Sequence, residues 1–397
     1  MAGQARKRGK RANGEGSIYQ RGDTGKWVAQ IPIGHYRNGS VKYKRQAFAT
    51  QREALAHLRA MQDEVDAGVD LGTKSQTLAA YLDHWLTTVV KPNREPKTYE
   101  GYAYTVGLIT PTLGRVTLNK LTPAHIEQLL NELRERGGEH GQGLSPRTVQ
   151  YVRATLRRAL GRAFKQGLVP RNVVAQTDPP PGERPEVQPF SETQAHRLLD
   201  AVAGDRLEAL YNVAVMLGLR QGELLGLRWA DVDFGNGLLR VRRQLQDVKG
   251  VGLMLKALKT RGSRRDLDLG DDLLRQFRAH QDRQRLERQR KGDAWQDRGL
   301  VFPSAVGTPM SPRNLTRHYK RLLGRAGLPD RRFHDLRHTA ASIMFDQGVE
   351  AAEVSRVLGH SSIAITIDTY IHLMPKTRKR TAAVMDAWRA ASRARVS

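Results

Sequence analysis

His334-Asp335-Leu336-Arg337-His338, then Leu358-Gly359-His360 and then Tyr370 bring imidazoles, a guanidinium and a phenol into one short stretch of chain. An imidazole moves protons, a guanidinium grips two phosphate oxygens at once, and a phenol can form a covalent ester with phosphorus. A second guanidinium, Arg220, lies upstream in Gly218-Leu219-Arg220-Gln221-Gly222-Glu223-Leu224. The chain carries 66 Lys and Arg against 40 Asp and Glu, a net charge of +26, which favours a polyanionic partner. On so basic a protein, this set of groups points to DNA strand breakage through a phosphotyrosine. Metal-free cutting needs an in-line nucleophile, positive donors on the non-bridging oxygens and an acid for the departing alkoxide. Free tyrosine has a pKa of about 10, so only ~10⁻³ of it is phenolate at neutral pH. A neighbour must activate it.

Each residue also has a plainer reading. Arg220 follows an apolar helical pattern (Leu210, Ala214, Leu217) and could simply pair with Glu223. His360, after Gly359, has the position of a C-terminal helix cap, and Tyr370 is one of 11 tyrosines. His334 and His338 at i and i+4 have the spacing of a zinc pair, but the second position is Asp335 where the zinc-protease pattern needs Glu. Cysteine ligands are excluded because the chain has none. Arg220 and Arg337 form the expected phosphate clamp, since a planar fork donates two parallel hydrogen bonds to phosphate. His334 and Arg337, at i and i+3, share a helix face. His338 is expected to be structural.

The segments around Arg220, His334 to His338, His360 and Tyr370 resemble the signature boxes of tyrosine recombinases, specifically the phage-integrase branch. The resemblance is strong over residues 190–375 and rests on element order over residues 16–168. It implies that His334 and His360 join the two arginines at the scissile phosphate and that Tyr370 is the nucleophile. Lys259, in Leu258-Lys259-Thr260-Arg261, resembles the lysine on a β-hairpin turn that protonates the leaving 5′ oxygen. Lys249 and Lys256 are nearby competitors, and a solvated turn lysine is the plainer reading. The implied reaction passes through a 3′-phosphotyrosyl link and needs no metal, ATP or other cofactor. The implied assembly is a homotetramer on two synapsed DNA attachment sites. Integration and excision of a phage or mobile element follow, with a direction-control factor and a host DNA-bending protein as further partners. The alternatives are a topoisomerase that reseals its own strand, or a DNA-binding regulator of the same fold that does not cut. The expected location is the bacterial cytoplasm, at the nucleoid.

These groups must be held by a multidomain framework that is mainly α with small β-sheets. Residues 1–15, with Arg6 to Arg11 (Arg6-Lys7-Arg8-Gly9-Lys10-Arg11), read either as a disordered tail or as an arm on DNA phosphates. Residues 16–68 read as three strands and a helix: Trp27, Ala29, Ile31 and Ile33 alternate with Val28, Gln30 and Pro32 between turn signals. This unit resembles an arm-DNA-binding domain. Lys42, Lys44 and Arg45 on its last strand are candidate DNA contacts or ordinary edge-strand cations. Residues 75–172 carry helical periodicities, with Thr122-Pro123 and Ser145-Pro146 as capped starts, and resemble a core-DNA-binding domain. Its last helix holds Arg147, Arg153, Arg157, Arg158 and Arg162 with no acid between the first and last, so groove or phosphate contact is expected there.

Residues 173–189 form a Pro-rich connector. Residues 190–397 are the expected mostly helical, mixed α/β catalytic domain with a C-terminal tail. A small sheet is expected around 238–242 and 266–269, and an exposed basic helix over 275–291. No apolar run approaches the ~20 residues that cross a bilayer, so no membrane role is expected.

Overall fold

A computed structural model describes residues 15–36, 38–66, 68–72, 76–138, 140–180, 182, 188–258, 262–370 and 384–390. The basic amino-terminal tail, Lys259, and the basic run 376–380 lie outside the described residues. The chain divides into two compact units, residues 1–184 and 185–397, with the break inside the Pro-rich connector. Among the described residues no helix is long and apolar enough to cross a membrane.

The first unit opens with an antiparallel sheet, β1 (Ser17–Gln20), β2 (Trp27–His35) and β3 (Val41–Phe48), in spatial order β1-β2-β3. Helix α1 (Gln51–Asp66) packs on one face, where Ala29 and Ile31 meet Ala54, Leu58 and Met61. The period-2 alternation of β2 holds for Ala29 and Ile31, which enter this core, and for Gln30 and Pro32, which stay on the far face, while Val28 on that face is buried as well. Because Ile31 opposes Lys44 and Gln30 opposes Arg45, the basic residues of β3 are split. Lys42 and Lys44 stand on the helix side, Arg45 on the open face.

A second core in this unit is built by α2 (Leu78–His84), α4 (Pro96–Leu113), α5 (Pro123–Arg136) and α6 (Pro146–Lys165). Between α2 and α4 the helix continues through a wide π turn, Trp85–Val90, and one further turn, α3 (Lys91–Asn93). The two expected starts are present. Thr122 accepts from the amide of His125 and Ser145 from that of Thr148, each with proline in the first turn, which satisfies amide groups that helix ends leave open.

In the second unit, α7 (Glu192–Val202), α8 (Glu208–Leu217) and α9 (Gln221–Gly226) lead into β4 (Val232–Asp233), β5 (Leu238–Val241), β6 (Arg243–Val248), β7 (Gly252–Ala257) and β8 (Arg265–Asp268). β4, β5 and β8 form one small antiparallel sheet, and β6 and β7 form a hairpin. Then come α10 (Asp271–Lys291), α11 (Pro312–Arg325), α12 (Asp335–Asp346), α13 (Ala351–Leu358) and α14 (Ile363–Tyr370). The β5–β8 pairing falls where the sequence placed it.

Helix α10 departs from expectation: it is not wholly exposed, because Leu273, Phe277 and His280 are buried. Phe277 and His280 pack around Phe302, and the His280 ring bonds the Val301 carbonyl at 2.7 Å. Three residues at i, i+4 and i+7 suffice to dock a helix whose other face is charged.

Candidate active site

The two expected clamp arginines come from different helices and converge on the carboxyl end of α13. Helix α8 stops at Gly218, whose φ of +62° is left-handed. A Cβ there would lie 2.6 Å from the Leu358 side chain and 3.1 Å from Ala340, so both backbone and space demand glycine. The turn delivers Arg220 to the position preceding α9, where its Nη1 donates to Glu223 Oε1 at 2.7 Å and its Nη2 to the Gly359 carbonyl at 3.1 Å. Arg337 rises from the first turn of α12, is 3% exposed, and donates through Nη1 to the Gly218 and Leu358 carbonyls. Its Nη2 is buried with no hydrogen-bond partner among the described residues. Burial and the Arg220 charge pull the Arg337 pKa down to about 9, still high enough to keep it cationic at neutral pH. A buried cation with a free donor is costly unless an anion completes it.

Glu223 lies beneath both guanidinium systems, 1% exposed, sharing Oε1 with Arg220 and Oε2 with Arg265 at 2.9 Å. Burial resists its ionisation, but the charges and hydrogen bonds of Arg265 and Arg220 outweigh that and hold the carboxyl below its ordinary range. The plain reading of Arg220 as a salt-bridged residue is thus correct without excluding a further role, since the guanidinium remains half-buried and one-third exposed.

Three histidines border the arginines. His334 immediately precedes α12, and partial burial followed by the Arg337 and Arg220 charges lowers its pKa. His360 follows Gly359 at the end of α13 and bonds Thr366 Oγ1 through Nδ1 at 2.7 Å. Its pKa falls to about 4 because burial, then Arg337 and Arg220, oppose a further charge. His338 was expected to be structural, yet its Nδ1 lies 2.7 Å from the Tyr370 hydroxyl. Its own pKa is also down to about 4, chiefly through burial. With values near 4, the His338 and His360 rings are neutral at pH 7. Tyr370 closes α14 at 1% exposure, its ring packed beside His338 and Phe345, and burial pushes the phenol up to about 12. The phenol therefore donates to a neutral imidazole.

A model of the phage integrase family matches residues 189–377, and one of the phage integrase N-terminal SAM-like domain matches residues 77–134. A tyrosine recombinase XerC-like protein of Caldanaerobacter subterraneus subsp. tengcongensis is 31% identical over 368 residues, spanning 88% of this chain and 92% of the relative. The chain is a tyrosine recombinase of the phage integrase family. It is a DNA breaking-rejoining enzyme and a site-specific recombinase. Solved structures that share its fold include two integrase complexes with DNA. The Tn1549 transposon integrase in complex with a circular intermediate DNA is 20% identical, covers 75% of this chain and 95% of that one, and has a TM-score of 0.64. A lambda integrase tetramer bound to a Holliday junction is 20% identical, covers 90% and 96%, and has a TM-score of 0.53.

The recombinase also carries a basic face on its first unit. Arg147, Arg157, Arg158 and Arg162 of α6 are exposed, with Arg147 over the ring of Tyr151 at 4.9 Å and Arg158 over that of Tyr102 at 5.6 Å. Tyr104 and Tyr151, both more than half exposed, stand with Lys97 and Arg158 around a cleft of about 530 Å³ between α4 and α6. Arg153 is a correction. It is 8% exposed and turns inward, donating to Thr177 Oγ1 at 3.2 Å, the Val174 carbonyl at 3.3 Å and the Thr177 carbonyl. Its place on α6, one position past Val152, points it at the following 3-10 turn, Val173–Gln176, where it braces the Val174 carbonyl, which Thr177 also bonds, and the Thr177 carbonyl.

Proposed function

We propose that this recombinase integrates and excises a phage or other mobile element, cutting each strand with Tyr370 while Arg220 and Arg337 hold the scissile phosphate. The observation that carries the reading is the convergence of both arginines on one helix end, with an unpaired buried Nη2 on Arg337, within a layer that also presents His334, His360 and Tyr370. A scissile phosphate supplies the acceptors that this cationic pocket lacks.

The chemistry follows. The Tyr370 oxygen attacks phosphorus, the P–O5′ bond breaks, and a 3′-phosphotyrosyl ester and a 5′-hydroxyl result. The phenolic proton passes to a neutral imidazole, and Lys259 returns one to the leaving oxygen. Cationic neighbours depress His334 and His360 in the free protein. A bound phosphate anion offsets that field and raises the basicity of both rings. In the resting arrangement the phenol is tied to His338 and buried, so it must leave that pocket to reach phosphorus. The 5′-hydroxyl of a partner duplex then attacks the ester, conserving its energy without ATP.

The exposed arginines of α6, with Tyr104 and Tyr151, are suited to grip core-site DNA, and the β1–β3 sheet with Arg45 on its open face is suited to a second, arm-type site. A tetramer on two synapsed attachment sites is the assembly the chemistry needs, as in the lambda integrase tetramer bound to a Holliday junction. The bacterial relative supports action in the bacterial cytoplasm, where the DNA substrate would bring the enzyme to the nucleoid, with a direction-control factor and a DNA-bending protein as further partners.

The test is covalent trapping on a nicked attachment site, resolved on a denaturing gel. Tyr370→Phe is expected to form no adduct while binding the site within about twofold of wild type, because only the phenolic oxygen is lost. Adduct formation by the variant would sink the assignment.

A further inference from the structure

A third arginine, Arg265, meets the same helix end, and nothing in its sequence spacing marks it. At the carboxyl end of α13 the carbonyls of Val357, Leu358 and Gly359 each accept from a different guanidinium: Arg265 Nε at 2.6 Å, Arg337 Nη1 at 2.6 Å and Arg220 Nη2 at 3.1 Å. The last four carbonyls of a helix have no partner within it, and that end carries partial negative charge. Three like charges are gathered by one dipole end and one carboxylate.

Arg265 differs from the other two in how completely it is used. It is 6% exposed, and its Nη1 donates to the Ser263 carbonyl at 3.1 Å and its Nη2 to Glu223 Oε2 at 2.9 Å. All three of its nitrogens are therefore engaged, whereas Arg337 keeps a free Nη2. The fit is close. A Cβ on Gly359 would lie 2.7 Å from Arg265 Nη1, and one on Gly262 would lie 3.2 Å from the His360 carbonyl.

We infer that Arg265 is a positioning residue for strand cleavage: it splits the Glu223 carboxylate with Arg220 and ties the turn before β8 to the Gly359-His360 turn, so that Arg220 is held in line with the phosphate. The inference rests on the proposed phosphate clamp. Without Arg265, Glu223 Oε2 keeps only the Arg220 amide, 3.1 Å away, and can turn toward the Arg220 guanidinium and draw it back from the phosphate. The same loss frees the segment from Gly262 to Arg264 from the helix end.

The experiment is a double-variant cycle in the full-length protein, reading site binding by gel shift and single-turnover cleavage of a nicked site. Arg265→Ala is expected to slow cleavage by about 10–100-fold with binding within about threefold, and Arg220→Ala/Arg265→Ala to cleave no more than about threefold slower than Arg220→Ala alone. A substrate with a neutral methylphosphonate at the scissile position should shrink the Arg265→Ala and Arg220→Ala defects together, because the charge that the clamp serves is gone. A loss through general loosening of the fold would survive that substitution.

Arg265→Lys, which keeps the charge but not the three-way fork, should fall between wild type and alanine. It carries the same cycle if the alanine variant does not fold. Multiplied defects in the double variant, or wild-type cleavage by Arg265→Ala, overturn the positioning role. Wild-type cleavage by Arg220→Ala would instead overturn the clamp on which it depends.

Discussion

The buried hydroxyl of Tyr370 and the half-buried ring of His338 form a polar pair that joins α14 to α12. A buried hydrogen bond contributes about 0.5–1.5 kcal/mol net, and stranding one partner costs more. His338→Ala should therefore lower unfolding free energy by about 1–3 kcal/mol, and the coupling with Tyr370→Phe in a denaturant double-mutant cycle should be close to 1 kcal/mol. Additive effects in that cycle would show that the 2.7 Å contact carries no energy in solution. At the same scale, Arg337→Ala removes a donor to the reacting phosphate and the brace between Gly218 and Leu358. Cleavage should drop by about 10²–10³, accompanied by a measurable loss of thermal stability. A rate within tenfold of wild type on the nicked site would argue against its place in the clamp.

Helices α6 and α10 show what an amphipathic element does with basic residues. On α6 the sequence offers five arginines, and packing sorts them: four remain on the surface while Arg153 braces the turn beyond Val173. Arg157→Ala and Arg162→Ala should weaken DNA binding and flatten its dependence on salt, since each phosphate contact adds nearly one unit to the slope. Arg153→Ala should do the opposite, lowering the melting temperature with the salt slope unchanged. An altered slope in Arg153→Ala would restore it to the DNA-facing set.

On α10, His280 is buried neutral, its pKa pulled by burial from 6.5 to about 4. The unfolded chain then binds more protons than the folded one between those values. Stability is full above pH 6.5 and falls as pH drops toward 4, by about 2 kcal/mol at pH 5 from this residue. His338 and His360, depressed in the same direction, add to the slope. Denaturant unfolding at pH 7 and pH 5 checks this, and His280→Asn should flatten the slope.

Across the whole molecule, the small amino-terminal sheet has its own core around Ala29, Ile31 and Leu58, separate from the helical core that follows it. Its direct backbone tie to that module among the described residues includes the Asp70 amide on the Gly167 carbonyl. Removing residues 1–72 should therefore leave the helical module folded, with binding and cleavage at an isolated core site near wild type. Recombination on DNA that carries both core and arm sites should fall strongly, because holding two segments raises their effective concentration without new core contacts. Equal recombination by full-length and truncated protein on the longer DNA would rule out an arm-binding role.

Local pattern was enough to read the strand–helix unit, both proline-started helices and the two strands β5 and β8. The strand–helix unit and the two helix starts depend on spacings of two, three or four residues or on a cap and its neighbour, which the backbone periods make visible in one dimension. The order of the chemical residues was read from the resemblance of their segments to family boxes. Short spacing likewise made the pairing of Arg220 with Glu223, three residues on, legible, whereas its assignment to a phosphate clamp came from the resemblance of the surrounding segment to a family box. What the chain could not show in one dimension was decided by contacts between distant segments. Arg265 meets Glu223 from 42 residues away, Arg220 meets Gly359 from 139, and His338 meets Tyr370 from 32. None of those separations has a period. Whether a guanidinium faces water or a stranded carbonyl is likewise set by what packs above it, so Arg153 and Arg157 look alike in sequence and part company only when the helix is seated on its neighbours.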